Sequence, residues 1–243
     1  MATFVLVHGA FQGGWVWHPV ASLLQKGNHS VYTPTLTGVG ERVHLLEESI
    51  DLDTYIRDIT NVIHFESLSD VILVGHSYAG MIITAVADKL PSKISHLVYL
   101  DAVVPEAGKS FLDLAGPEFQ LLLQQHATGW QVRPWPLEAF GIRCEEDKRW
   151  FSSKLVQFPL KAFESVFLRH EQNESVSRTY IHCTEHKNAF IKRVAAQCKR
   201  DGWNYYEMQT GHSPMVTVPD GLADILTQIA LAMGNARKKK TTK

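Results

Sequence analysis

Short runs of consecutive apolar residues alternate along this chain with longer stretches whose apolar positions recur every three or four residues. Thr3-Phe4-Val5-Leu6-Val7-His8, Val71-Ile72-Leu73-Val74 and Lys93-Ile94-Ser95-His96-Leu97-Val98-Tyr99-Leu100 are of the first kind. They read as parallel strands buried on both faces. Ser30 to Pro34, Thr179 to Cys183 and Trp203 to Met208 add three more strands. The helical spacing runs from about Pro19 to Gln25, from Leu52 to Glu66, from Met81 to Leu90 ahead of Pro91, from Phe190 to Lys199 and from about Asp220 to Met233. In the second of these, Tyr55, Ile59, Val62 and Ile63 share one face, as an amphipathic helix over a sheet requires. Strand and helix in alternation predict an α/β fold with a doubly wound, mostly parallel sheet, which takes its ligands at the carboxyl ends of the strands.

The alternation stops between about 106 and 177. Phe111 to Leu123 reads as one helix, Trp130 to Phe140 as an irregular aromatic connection, and Trp150 to Phe167 as one or two more helices. An aromatic-rich insertion between two sheet strands is expected to be a helical lid over a site, within a single domain spanning 1–243. The basic end, 236–243, is expected to be an unstructured, solvated tail.

Composition narrows the partners. With 243 residues, 45% hydrophobic and 20% charged, and a formal net charge of −1, the chain offers no electrostatic reason to bind nucleic acid or a membrane surface. Three cysteines (Cys144, Cys183, Cys198) share no metal-ligand spacing and are expected to be reduced thiols. No apolar run reaches spanning length, so a cytoplasmic protein is expected; a homodimer is compatible with it.

The chemistry gathers where the third strand turns into a helix, at Gly75-His76-Ser77-Tyr78-Ala79-Gly80. A strand that becomes a helix within a few residues strains the corner residue and needs small neighbours. Gly75 and Ala79 meet that need, and Gly80 lets the helix pack closely. The corner presents the Ser77 oxygen at a helix N-terminus, a nucleophile elbow. The loop His8-Gly9-Ala10-Phe11-Gln12-Gly13-Gly14 lacks a phosphate-binding fingerprint, and reads as an oxyanion loop whose Ala10 amide pairs with that of Tyr78. A serine hydroxyl needs a base, and of twelve histidines His212 follows the last strand in a glycine-preceded loop at the ligand end. His76 is expected to point away along the elbow, and Arg42 and His44 to be solvated.

His-Gly-Ala at 8–10 with Gly-Gly-Trp at 13–15, Gly-His-Ser at 75–77 and Gly-His at 211–212 resemble the α/β-hydrolase superfamily over the whole chain, and within it the small esterases that include plant methylesterases and hydroxynitrile lyases. The resemblance implies a chain order of nucleophile, acid, histidine, which His212 completes. It also implies an acid in the loop after the fifth strand, where relatives carry Thr-Glu-Asp-Lys. Here that loop is Thr184-Glu185-His186-Lys187, so the aligned residue is a histidine. Glu185 lies one residue out of register. Haloalkane dehalogenases resemble a second layout, with the acid at the end of the preceding strand, here Tyr99-Leu100-Asp101-Ala102. Asp101 is the expected acid, ahead of Glu185, with Glu106 third. The reading is a serine esterase for a small-molecule carboxylic ester, an aryl or carbamate ester included, using no cofactor and no metal. Two readings compete: a ligand-binding receptor on a hydrolase scaffold, and a hydroxynitrile lyase. The resemblance disfavours the lyase, which carries threonine at the Gly9 position and lysine directly after the histidine, where this chain has Ser213.

Overall fold

Val71-Ile72-Leu73-Val74 offers no polar side chain to solvent, and in the computed structural model all four are buried near the centre of a sheet. Residues 1–169 and 176–241 are described. Six strands form this sheet: β1 (Thr3–Val7), β2 (Ser30–Tyr32), β3 (Val71–His76), β4 (Ile94–Leu100), β5 (Ser177–Cys183) and β6 (Asn204–Met208). Their spatial order is β2-β1-β3-β4-β5-β6, and every neighbouring pair is parallel. The α/β doubly wound architecture is the one that the alternating pattern predicts.

The helices are α1 (His18–Lys26), α2 (Leu52–Phe65), α3 (Ala79–Lys89), α4 (Ala189–Arg200) and α5 (Pro219–Thr241). Right-handed crossovers put α1, which steps from β1 outward to β2, on the opposite face from α2, α3 and α4, which step the other way. Packing agrees: α1 lies against α5, and α2 against α3. Asp51 caps α2 by accepting from the Thr54 amide at 2.9 Å, and Asn188 caps α4 from the Ile191 amide at 3.1 Å. The backbone of α5 runs on to Thr241, into the basic segment read from sequence as an unstructured tail. The side chains of 236–241 and the whole of 242–243 lie outside the described residues.

The insertion after β4 differs from its sequence reading in two places. The single helix expected from Phe111 to Leu123 is two, Phe111–Ala115 and Pro117–His126. They break at Gly116, whose φ of 80° and the proline behind it end the first helix. The expected irregular aromatic connection holds the middle of a three-stranded antiparallel sheet, Ala127–Thr128, Gln131–Val132 and Phe158–Pro159. Helices Glu145–Ser152 and Leu160–Glu164 complete it. Phe158, Phe163 and Phe167 are buried, and the first two pack with Phe11, Tyr55 and Tyr78 from the main body. Residues 170–175 of the expected 106–177 lid lie outside the described ones. Among the described residues no helix is long and apolar enough to cross a membrane.

Candidate active site

Ser77 sits between the end of β3 and the start of α3 with φ of 57°, in the left-handed region that an L side chain seldom enters. The turn is possible because its flanks are bare. A Cβ on Gly75 would come 2.9 Å from the Ala79 carbonyl oxygen, and one on Gly80 would come 1.8 Å from that of Val103. Gly80 therefore packs on the loop after β4. The strained corner is tied to that loop: the Ser77 amide donates to the Leu100 carbonyl at 3.2 Å, and the Val103 amide donates to the Ser77 carbonyl at 3.1 Å.

Asp101, the residue just past β4, also has a positive φ, 44°. Its amide donates across the sheet to the Ile181 carbonyl at 2.8 Å, so its side chain lies over the end of β5. The carboxylate is fully buried and meets three donors. The Cys183 amide donates to Oδ1 at 3.1 Å, and Oδ2 lies 2.7 Å from His212 Nδ1 and 2.6 Å from His186 Nδ1. The other nitrogen of His212, Nε2, is 3.0 Å from Ser77 Oγ. Serine, histidine and aspartate thus form one continuous hydrogen-bonded line. Glu185 instead pairs with Arg143 at 2.8 Å, and Glu106 is exposed.

Burial opposes the charge on Asp101, yet the hydrogen bonds from His186 and His212 outweigh it and hold the carboxyl well below its usual range. It is an acceptor, so both imidazoles carry their hydrogen on Nδ1, and Nε2 of His212 is free to accept from Ser77. Burial lowers the His212 pKa first and the nearby His186 lowers it further, against the raising effect of Asp101.

The loop after β1 holds Ala10, which with Ser77 lines the same cavity. His8 Nδ1 donates to the Gly9 carbonyl at 2.8 Å while its Nε2 accepts from the Leu36 amide at 3.1 Å. A planar peptide points its N–H opposite to its C=O, so this bond fixes the direction of the Ala10 amide. Burial drops the His8 pKa to about 4, which keeps that arrangement neutral. Tyr78 opens α3, and its ring is buried with its hydroxyl donating to the Ala162 carbonyl at 2.7 Å.

Three placements depart from the sequence reading. His76 does not turn away: its ring centroid is 4.6 Å from that of His212, and Nε2 donates to the His212 carbonyl at 2.7 Å. The left-handed Ser77 ends the alternation of β3, so the flanking side chain is free to face the same side. Arg42 is tied down, donating to the Thr35 carbonyl at 2.8 Å, although His44 is exposed as expected. His186, read only as a failed acid, is a second partner of Asp101. Its signal in the sequence is the histidine standing in a loop where relatives place a carboxylate.

The cavity above Ser77 and His212 has a volume of about 340 Å³, with walls that include Phe111, Phe119, Trp135, Phe140 and Phe190. Asp101, His186 and His212 offer ligand atoms within 4.8 Å of one another, a donor set that suits a divalent cation. A cation held by both Nδ1 atoms would displace the two hydrogens that bond them to Asp101 Oδ2.

Known proteins resemble the chain over most of its length. The chain is 40% identical over 243 residues to a carbendazim-hydrolysing esterase of Nocardioides sp. (strain SG-4G), covering 94% of this chain and 100% of that one. It is 32% identical over 208 residues to salicylic acid-binding protein 2 of Nicotiana tabacum, covering 76% and 79%. Among solved structures it shares its fold with an extracellular alpha/beta-hydrolase from a Paenibacillus species, at a TM-score of 0.82 and 22% identity over 94% of this chain and 98% of the other. A pyrethroid hydrolase from Sphingobium faniae superposes at a TM-score of 0.77, with 21% identity over 95% and 98%. The sequence profile of the alpha/beta hydrolase family matches residues 4–225, and the chain belongs to that family.

Proposed function

We propose that the chain is a carboxylic ester hydrolase that works through an acyl-enzyme on Ser77. The observation that carries this reading is the unbroken line from Ser77 Oγ to His212 at 3.0 Å and from His212 to Asp101 at 2.7 Å. His212 takes the Ser77 proton as the hydroxyl attacks the acyl carbon. Asp101 holds the imidazole in the required tautomer and supports the imidazolium that forms. The oxyanion is received by the Ala10 and Tyr78 amides, each such donor typically worth roughly 3–4 kcal/mol. His212 then returns its proton to the departing alcohol, and a water activated by the same imidazole releases the acid.

The substrate in this reading is a small-molecule ester with an apolar or aryl body, with the 106–177 insertion acting as lid. The aromatic walls of the cavity support the aryl body. A carbamate ester fits the same chemistry, and the carbendazim-hydrolysing relative supports it. A second reading, a ligand-binding protein that turns over little, draws support from the tobacco salicylic acid-binding relative.

One experiment separates the two. Wild-type protein is expected to hydrolyse p-nitrophenyl acetate and aryl methyl carbamates, to lose activity on treatment with a fluorophosphonate, and to lose it equally as Ser77→Ala. Saturable binding of aryl ligands with negligible turnover and an unlabelled Ser77 would replace the hydrolase with the binding protein.

A further inference from the structure

Asp101 Oδ2 serves two imidazoles. His212 Nδ1 lies 2.7 Å from it and His186 Nδ1 2.6 Å, with the two ring centroids 4.2 Å apart and inclined by 32°. A carboxylate oxygen has two lone-pair directions, and here each is taken by an N–H. The Cys183 amide occupies Oδ1 at 3.1 Å, so neither oxygen can swing away. We propose that His186 is a positioning residue for the hydrolysis: it locks the Asp101 carboxylate and competes with His212 for the carboxylate's charge. Its effect on rate rests on the serine hydrolase reading, whereas the shared carboxylate does not.

The competition has a definite sign. A carboxylate polarised by two donors gives less support to either, and a proton on His186 would stand one carboxylate away from His212 and oppose a second proton there. The titratable groups facing His212 are Asp101, His186 and His76. On its outer side His186 borders a polar cavity with Glu138, Arg143, Lys148, Glu185 and Lys187, of which Arg143 and Glu185 are paired at 2.8 Å. His186 also lines the cavity above Ser77, so it forms part of the wall between the two spaces.

Two variants divide its contributions. His186→Asn keeps an N–H donor on the same carbon position but cannot carry the charge; His186→Ala removes donor and charge. Proton resonances report the sharing directly. Wild type is expected to show two far-downfield Nδ1–H signals, His186→Asn one and Asp101→Asn neither. In histidine-selective NMR titrations the His212 midpoint is expected to rise by about one pH unit in His186→Asn, the size that losing a like charge at this range gives. The acid limb of Ser77 phosphonylation by a fluorophosphonate should move up with it, and the plateau rate should fall further in His186→Ala, which lacks the donor, than in His186→Asn. A single downfield signal in wild type, or an unmoved His212 midpoint, would overturn the proposal. Loss of labelling in His186→Asn as complete as in Ser77→Ala would also overturn it, since His186 would then act on the reacting atoms itself. An unlabelled wild-type Ser77 would sink the hydrolase reading alone, and the resonances would still decide whether the carboxylate is shared.

Discussion

Asp101 and His212 stand 111 residues apart in the chain and 2.7 Å apart in the fold. The sheet makes the meeting possible, because β4, β5 and β6 are parallel neighbours whose carboxyl ends lie side by side. Asp101 leaves β4 and reaches over β5, while His212 returns from the loop after β6. The left-handed backbone at Asp101, with φ of 44°, supplies the sideways turn that a straight strand end could not.

Replacing Asp101 by Asn should therefore lower kcat by about 10⁴, the scale known for a histidine left in the wrong tautomer. An asparagine that turns its NH2 toward His212 favours the neutral ring with hydrogen on Nε2, which cannot accept from Ser77. Glu185→Gln should leave kcat near wild type, since that carboxylate pairs with Arg143. Steady-state kinetics of the two variants on one ester check this, and the reverse ranking would move the acid to Glu185.

The pH dependence should follow His212. Burial and the neighbouring His186 lower its pKa below the ordinary histidine value of about 6.5, so the neutral, basic ring persists into mildly acid solution. The acid limb of kcat/KM is expected to have its midpoint below about 6.5. A midpoint near 7 or above would mean that Asp101's support dominates over burial.

The fold, and Ser77 and His212 as candidates, were legible because they are written locally. Periodicity marks the strands and helices, and small residues around Ser77 mark the corner. The acid was less legible, since a carboxylate at the end of β4 acquires a role only through the cross-sheet bond from Asp101 to Ile181, which no local pattern encodes. The parts played by His186 and His76 were hidden for the same reason. Each meets its partner across a distance of tens of residues or more, and a histidine carries no local mark that separates a ring aimed at a carboxylate from a ring aimed at solvent. The apolar spacing runs on through the break at Gly116 and masks it, although a glycine followed by a proline carries its own signal.

Acid should destabilise the fold partly through His8. Its folded pKa of about 4 lies below the unfolded value, so the stability it lends is complete above about pH 6.5 and is lost as pH falls toward 4. The full shift is worth up to about 3 kcal/mol. His8→Asn, which cannot titrate, should flatten the fall of Tm between about pH 6.5 and 4. It should also reduce kcat by loosening the Ala10 peptide that His8 holds through the Gly9 carbonyl. An unchanged slope of Tm against pH would remove His8 from the account.

The insertion touches the loop that carries His212 through a pair of glycines, Gly141 and Gly211, and this contact should matter more to rate than to folding. A Cβ on Gly141 would come 2.5 Å from the Gly211 Cα and 2.8 Å from the His212 amide nitrogen, in a residue whose φ is 71°. Gly116 has a φ of 80° and a ψ of −168°, a conformation that favours glycine, but nothing within 4 Å, so a side chain there is strained without the collision. Gly116→Ala should cost about 1–3 kcal/mol, the scale for an L residue held in a backbone region that glycine alone populates readily, and leave kcat unchanged. Gly141→Ala must in addition push residues 211 and 212 aside, and with Ser77 Oγ only 3.0 Å from His212 Nε2, a displacement of about 1 Å is enough to lower kcat about 10²-fold. Thermal melts and kinetics of the two alanine variants test this together. Equal losses of Tm with equal, unchanged kcat would show that the insertion does not hold the histidine in place.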